Sequence, residues 1–123
     1  MNETITNYAE ADALLGSRDS RKIAHNTYAE RLHDGTIGVR LHSTYVVRFR
    51  PDGTLALDSG GWQTVTIKER INRYLPPGFK IGAHKRVWFL HYLGERVGEY
   101  EDGLVIDATR SRGETLDERL TRG

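Results

Sequence analysis

The sequence contains no cysteine among its 123 residues. This absence excludes disulfide bonds, thiolate zinc sites and cysteine nucleophiles, and leaves histidines and carboxylates as candidate reactive groups. The five histidines never occur in the spacings of common metal-binding motifs, so we expect no metal and no cofactor. The sequence also lacks a nucleophile elbow and a phosphate-binding glycine loop. We therefore expect no catalytic residues, and a protein that is not an enzyme.

Long hydrophobic runs are also missing. Hydrophobic residues make up 37% of the chain, and no stretch approaches the ~20 apolar residues that a membrane-spanning helix needs. The first residues do not combine a basic segment with an apolar one, as a signal peptide would. We therefore expect a cytoplasmic protein with no membrane partner. Its length predicts a single domain, residues 1–123, with a thin core.

Charge is balanced over the whole chain but not along it. The 18 basic and 17 acidic residues give a net charge of +1, yet residues 21–96 hold 13 basic and 6 acidic side chains. Residues 1–20 and 97–123 each carry three more acidic than basic side chains. Two interpretations stay open: the basic centre is an electrostatic footprint for a partner, or the acidic ends fold back and pair with it.

The first predicted element is a short helix near the N-terminus. Asn7 is a suitable N-cap for it. An apolar stripe that includes Ala11 and Leu15 follows, and Gly16 ends the helix. Residues 17–22 are polar and lack periodicity, which is typical of a connector.

Residues 27–58 change to a period of two and predict a four-stranded antiparallel meander. Asp34-Gly35 suits a two-residue turn between the first two strands. This turn gives one mostly apolar face, with the pairs Leu32–Ile37, Glu30–Val39 and Tyr28–Leu41.

The other turns of the meander follow from the same alternation. Pro51-Asp52-Gly53 suits a three-residue turn with its glycine in the left-handed region, which pairs Phe49 with Leu55. Near Ser43 we expect a loop of odd length, because a two-residue turn would drive Arg48 into the core.

A helix is predicted after the break at residues 60–62. Thr66 and Glu69 form a capping box, so we expect the helix to begin at Thr66. Residues 76–78 end it. Its buried stripe consists of Ile67, Ile71, Tyr74 and Leu75.

A second, smaller antiparallel sheet is predicted beyond the helix. Its candidate strands are residues 79–82, 86–93, 96–101 and 104–107, with a turn at residues 101–103. Residues 87–93 are apolar on both faces, which predicts a central strand that is covered on both sides. Thr115 then caps a short final helix.

The predicted fold class is α+β: a four-stranded antiparallel meander, a helix, a second smaller antiparallel sheet and short terminal helices. Residues 1–22 form the N-terminal helix and connector, residues 23–76 the first meander plus helix, and residues 77–123 the second sheet plus C-terminal helix. Residues 66–73 and 115–122 share Thr, Glu, Arg and Arg in register. This match is either an internal repeat or a coincidence of common capping motifs.

The outer face of the first meander is the strongest candidate for a binding site. In the predicted register it carries basic side chains among small ones, and only Asp58 opposes them. Small neighbours would let phosphates approach the sheet, although a solvated face, or one covered by the acidic C-terminal segment, explains the pattern equally well. The face contains His33, and the nucleic-acid-binding set is Arg31, Arg40, His42, Arg48 and Arg50, joined by Arg70 and Arg73 on the helix.

Five segments carry a resemblance to a known family: residues 18–31, 37–44, 50–54, 58–66 and 70–76. Together, within residues 11–76, they resemble a family of small uncharacterised proteins of tailed phages, especially those that infect actinobacteria. The resemblance implies a viral setting and a location in the host cytoplasm, and it implies no catalytic residues. It favours two roles, the handling of nucleic acid and the inhibition or hijacking of a host protein.

These observations lead to a hypothesis of function. We expect a small non-enzymatic phage accessory protein that binds nucleic acid through the basic sheet face. The alternative is a binder or inhibitor of a host protein, in host takeover or anti-defence. We expect Trp62 and Trp88 to pack in the core or at its rim, since a thin core needs large side chains.

Overall fold

The computed structural model describes residues 3–107, which form two helices and nine strands. The helices are α1 (Tyr8–Leu15) and α2 (Val65–Arg73). The strands are β1 (Ser20–Ala24), β2 (Thr27–Arg31), β3 (Ile37–Leu41), β4 (Thr44–Phe49), β5 (Thr54–Leu57), β6 (Phe79–His84), β7 (Val87–Tyr92), β8 (Glu95–Glu99) and β9 (Val105–Asp107).

The strands form two antiparallel sheets. The larger has the order β1-β2-β3-β4-β5-β9, and the smaller has the order β6-β7-β8. The α+β class is confirmed in this form, with the expected four-stranded meander as β2 to β5. Of its two flanking strands, β1 was not expected, whereas β9 is the strand predicted at residues 104–107, which was assigned to the smaller sheet.

Strand β1 begins within residues 17–22, the segment that the sequence predicts as a connector, and extends to Ala24. It pairs with β2, and Arg21 lies opposite Ala29. Only its last two residues, Ile23 and Ala24, are buried. An edge strand that buries one end shows little alternation, which is why the pattern resembled a loop.

The predicted second sheet wrongly included the strand that is β9 in the structure. This strand pairs with β5, and Leu55 lies opposite Ile106, so it extends the larger sheet and does not join the smaller one. The Leu57 amide donates to the Leu104 carbonyl at 2.9 Å, and the Gly103 amide donates to the Leu57 carbonyl at 2.7 Å. Ile106 is buried there in the main core.

The turn at residues 51–53 is confirmed. Phe49 lies opposite Leu55, and Gly53 has a φ of +91°. The turn is closed because the Arg50 amide donates to Thr54 and the Gly53 amide donates to the Arg50 carbonyl, each at 2.9 Å.

The turn at residues 33–35 has the same form, so the predicted register between β2 and β3 is wrong by one residue. The Leu32 amide donates to the Thr36 carbonyl at 2.9 Å, and Ile37 lies opposite Arg31 and not Leu32. Asp34 accepts hydrogen bonds from the amide and hydroxyl of Thr36 at 3.1 and 2.6 Å. Asp52 and Thr54 repeat these bonds at 2.9 and 2.7 Å. The shared Asp-Gly-Thr sequence was therefore the signal for a three-residue turn in both hairpins.

This shift reverses the two faces of β2, since side chains alternate along a strand. Thr27 and Ala29 are fully buried, although the sequence placed them on the outer face. Glu30 moves to the outer face, opposite Gly38.

The connection between β3 and β4 also differs from the prediction. Leu41 lies opposite Thr44, so the turn has two residues, 42–43, and not an odd number. A β-bulge follows, and the extra residue, Val46, is fully buried. The bulge restores the alternation, so Arg48 stays exposed without an odd-length loop.

The ends of α1 are as predicted, whereas α2 begins earlier than predicted. The Asn7 side chain accepts a hydrogen bond from the Glu10 amide, and Gly16 ends α1. The N-cap of α2 is Thr64, whose hydroxyl accepts from the Ile67 amide at 3.2 Å, so Thr66 already lies inside the helix. The predicted buried stripe is confirmed, with Ile67, Ile71, Tyr74 and Leu75 all buried.

A single cluster of buried side chains joins the inner face of the larger sheet, both helices and one face of the smaller sheet. Strand β7 is central in its sheet, but only its Trp88 and Leu90 side are buried. Phe89 and His91 on its other side are only half-buried, so the expected cover on both sides is wrong. This uncovered face forms part of the site described below.

Neither helix described here is long and apolar enough to cross a membrane. The predicted final helix at Thr115 and the second copy of the repeat lie outside the described residues.

Candidate functional site

The seven predicted nucleic-acid-binding residues do not form one surface. Arg40 and Arg48 lie on the outer face of the larger sheet, Arg50 lies directly after the end of β4, and His42 lies in the turn between β3 and β4. Three residues lie elsewhere: Arg31, Arg70 and Arg73.

Arg31 joins β2 to the end of α1. Its Nη1 donates to the Asp12 carboxylate at 2.8 Å, and its Nη2 donates to the Gly16 carbonyl at 2.7 Å. Its Nε donates to the Arg18 carbonyl at 3.1 Å. The register shift of β2 turned this side chain toward the helix, so the prediction that it belongs to the outer basic face is wrong.

Arg70 is buried, with 9% of its surface exposed. Its Nε donates to the Thr27 hydroxyl at 2.9 Å, and its Nη2 donates to the His25 carbonyl at 3.1 Å. It also pairs with Glu69. The guanidinium therefore links α2 to the larger sheet and does not face solvent as a phosphate-binding group would.

Arg40 lies half-buried on the predicted face, and its charge is compensated. Its Nε and Nη2 donate to Glu30 at 3.1 and 2.8 Å, and the Tyr45 hydroxyl donates to the same carboxylate at 2.7 Å. The Arg40 guanidinium lowers the pKa of Glu30, with a further contribution from Tyr45. The expected row of uncompensated arginines is therefore reduced to Arg48 and Arg50.

A larger basic surface lies between α2 and the uncovered face of the smaller sheet. It encloses a groove of about 930 Å³. We call it the basic groove and define it by its cationic and histidine side chains: Lys68, Arg73, Lys80, His84, His91 and Arg96.

Asn72 fixes the position of α2 beside β6. Its Oδ1 accepts from the Ile81 amide at 2.6 Å, and its Nδ2 donates to the Ile81 carbonyl at 2.9 Å. The side chain thus completes the free edge of β6, as a neighbouring strand would. Ile81 is fully buried, so alternation turns Lys80 and His84 into the groove.

The register of the smaller sheet places three groove residues in one row. Lys80 lies opposite His91, and His91 lies opposite Arg96. Beside this row, the Arg96 guanidinium stacks 3.8 Å from the centroid of Phe89. A Cβ at Gly82 would lie 3.1 Å from His91 Nε2, so the glycine leaves room for the imidazole over the strand.

The groove has an excess of positive charge. Glu69 is the one carboxylate among its lining residues, and this carboxylate already pairs with Arg70 and Arg73. Lys68, Lys80 and Arg96 take part in none of the ion pairs found among residues 3–107. Uncompensated cations in a concave surface attract anionic ligands.

Arg73 is the one member of the predicted nucleic-acid-binding set that lines this groove, although the sequence also pointed to Lys68 as a cation of the same helix. Lys80 and Arg96 are 16 positions apart, and strand pairing brings them into one row. The spacing of Lys80, Gly82 and His84 was a usable signal, because it marks a polar face on a strand whose other face is apolar.

The two tryptophans occupy different environments. Trp88 is buried, with 5% exposed, and its ring centroid lies 5.5 Å from that of Tyr100. Trp62 is 71% exposed, so the prediction that it packs in the core or rim is wrong. Within residues 3–107, no group of three or more histidines and carboxylates is arranged to bind a metal.

Comparison with known proteins places the chain in a phage family. A family model described as Kyanoviridae Gp96 protein matches residues 6–107. Kyanoviridae infect cyanobacteria, so the phage setting is confirmed and an actinobacterial host is not. No curated protein and no solved structure matches the chain significantly. The match spans most of the chain, which therefore belongs to the Kyanoviridae Gp96 protein family.

Proposed function

We propose that this chain is a non-enzymatic phage accessory protein that binds nucleic acid, and that the basic groove holds the phosphate backbone. The observation that carries the proposal is the groove itself, about 930 Å³ in volume, with four cationic side chains and one carboxylate that is already paired. The phosphate backbone dominates the affinity of such complexes.

The spread of the cations favours a polymer over a single small anion. Lys80 and Arg96 lie on the two outer strands of the smaller sheet, which are about 10 Å apart at the usual strand spacing. Lys68 and Arg73 line the opposite wall, on α2. A chain of phosphates contacts all of these groups at once, whereas one phosphate group cannot.

Nucleic-acid binding is also the function predicted from the sequence, but here the main binding surface is the basic groove and not the outer face of the larger sheet. Arg48 and Arg50 remain a second basic patch on the larger sheet, where they line a hollow of about 230 Å³ together with Asp58. This smaller patch contains a carboxylate for its two cations, so we expect it to contribute less to affinity.

The test is fluorescence anisotropy with labelled single-stranded and duplex oligonucleotides at about 50 mM salt. The Lys68→Ala/Lys80→Ala variant removes two groove cations. The Arg18→Ala/Lys22→Ala variant is its control, because it changes the net charge equally at exposed residues outside the groove. We expect the groove variant alone to bind much more weakly, with a salt slope shallower by about 1.4 to 1.8.

Three results would contradict the proposal in different ways. Equal losses in both variants would show that net charge, and not the groove, supports binding. A selective loss in Arg48→Ala/Arg50→Ala would return the interface to the larger sheet. Absence of binding to any oligonucleotide would favour a host-protein partner, for which Trp62, Val65 and Leu93 offer exposed apolar contacts.

A further inference from the structure

We propose that Trp62 is a stacking platform for a base of single-stranded nucleic acid whose backbone lies in the basic groove. This inference rests on the proposed function and narrows it to one class of nucleic acid. It comes from the loop at residues 59–63, which is held rigidly although its largest side chain remains exposed.

The backbone of this loop has a conformation that glycine favours. Gly60 and Gly61 have φ values of +66° and +85°. A Cβ at Gly60 would lie 2.5 Å from the Thr44 hydroxyl, so the loop packs directly against β4. Glycine adopts these conformations without strain, so contacts with neighbouring elements, and not the dihedral angles, hold the loop in place.

Ser59 provides those contacts from the other side of the loop. It is fully buried, and Asp102 accepts hydrogen bonds from its amide and its hydroxyl, both at 2.9 Å. The Tyr100 hydroxyl donates to the same carboxylate at 2.7 Å. In addition, Asp58 accepts from the Gly60 amide at 2.6 Å. The hydrogen bonds to Asp102, which lies in the connection between β8 and β9, therefore hold the loop in place.

The fixed loop presents Trp62 to solvent. Burial of this indole would have stabilised the fold, yet 71% of its surface is exposed. Tryptophan is enriched at binding surfaces, because its ring offers a large apolar contact area and an N–H donor.

The surroundings of Trp62 connect it with the groove. Trp62 lines a hollow of about 370 Å³ that also contains His42 from the turn between β3 and β4. The first turn of α2 separates the two depressions, since Thr66 lines the hollow and Lys68 lines the groove. This turn contains no acidic residue, and the positive end of the helix dipole favours a phosphate that crosses it.

The shape of the surface favours a single strand over a duplex. The common motifs that read the sequence of duplex DNA insert a projecting helix or ribbon into the major groove. Here the apolar stripe of α2 is buried, and its polar side forms the wall of a concave surface. Basic grooves combined with exposed aromatic rings are typical of single-strand binding, in which unpaired bases stack on the rings.

The test combines affinity with intrinsic fluorescence. We expect a single strand of about 12 nucleotides to bind more tightly than the duplex of the same sequence, and to quench Trp62 emission. Trp88 is only 5% exposed and supplies a constant background. We expect Trp62→Ala to lose about 5- to 100-fold in affinity, Trp62→Phe to retain most of it, and Leu93→Ala, a second exposed apolar position, to bind normally.

The outcomes separate this inference from the proposed function. If Lys68→Ala/Lys80→Ala weakens binding and Trp62→Ala does not, the groove stands and the stacking platform is overturned. Equal binding of duplex and single strand would also overturn it. Retained affinity in Trp62→Leu would show an apolar contact without stacking, with the same consequence. If no oligonucleotide binds, both proposals fall.

Discussion

The carboxylate of Glu30 lies beside the guanidinium of Arg40 on the outer face of the larger sheet, with contacts of 2.8 and 3.1 Å. The Tyr45 hydroxyl donates to the other carboxylate oxygen at 2.7 Å, so three adjacent strands meet at one acidic group. This arrangement exists because β2 is shifted by one residue from the register that a two-residue turn at Asp34-Gly35 would give. Arg40 is therefore not an uncompensated cation. Its contact with Glu30 links neighbouring strands on this face.

The first prediction concerns the pH dependence of this contact. Arg40, with help from Tyr45, lowers the pKa of Glu30 below its ordinary value of 4.5 in the folded protein. The stabilisation is therefore fully present above the pKa of the unfolded chain and is lost as the pH falls through the lower folded pKa. Urea unfolding between about pH 6 and pH 3 should show a smaller loss of stability in Glu30→Gln than in the parent. Parallel pH profiles would contradict the assignment.

The second prediction compares two buried tyrosines. The Tyr74 hydroxyl has no hydrogen-bond partner among the described residues, and burial raises its pKa. The Tyr100 hydroxyl donates to Asp102, and burial together with that carboxylate raises its pKa. We expect Tyr74→Phe to leave the melting temperature unchanged or to raise it. Tyr100→Phe should cost about 1.5–3 kcal/mol, because it removes a hydrogen bond to a charged group. Similar losses in both variants would be evidence against these environments.

The third prediction uses two glycines in strands. A Cβ at Gly38 would lie 2.5 Å from the Tyr45 ring and 3.2 Å from Leu32, whereas a Cβ at Gly98 would have no atom within 4 Å. We expect Gly38→Ala to lower the free energy of unfolding by about 1–3 kcal/mol and to displace Tyr45 from Glu30. Gly98→Ala should be neutral or slightly stabilising. Chemical denaturation of both variants distinguishes the two sites, and a tolerant Gly38 would argue against the observed register.

The fourth prediction separates two arginines on one helix. Arg70 is buried and hydrogen-bonded to Thr27 and His25, while Arg73 lines the basic groove. We expect Arg70→Met to cost about 2–3 kcal/mol of stability and to leave oligonucleotide affinity of the folded protein unchanged. Arg73→Met should show the reverse pattern, with weaker binding and little loss of stability. Loss of affinity in Arg70→Met with full stability would restore Arg70 to the binding surface.

Local features could be predicted where neighbours in sequence decide the structure. Asn7 marks the start of α1 and Gly16 its end. An N-cap side chain and a C-terminal glycine act only on the backbone next to them, so both are readable from the sequence. The turn at residues 51–53 follows from the conformations that Pro51 and Gly53 favour. Residues 34–36 have the same Asp-Gly-Thr sequence as residues 52–54. This match predicts a three-residue turn in both hairpins and therefore the observed register of β2.

The basic groove could not be predicted in the same way. Lys68 and Lys80 face one space only because α2 packs along β6, where Asn72 bonds to both backbone groups of Ile81. Neither residue's neighbours in sequence reveal this packing. Single basic residues on helices and strands are common on protein surfaces. Each residue alone therefore predicts only a solvated charge.

The α+β class, the meander, both helices and the buried stripe of α2 follow from the amino-acid sequence alone. These depend on periodicity and on capping, which act over a few residues. Long-range packing sets the sheet that β9 joins, the bonds from Asp102 to the loop before Trp62, and the approach of the cations of α2 and the smaller sheet in one groove. These relationships join residues far apart in the chain, and they depend on which backbone edges and apolar faces remain free for burial once the local elements have formed.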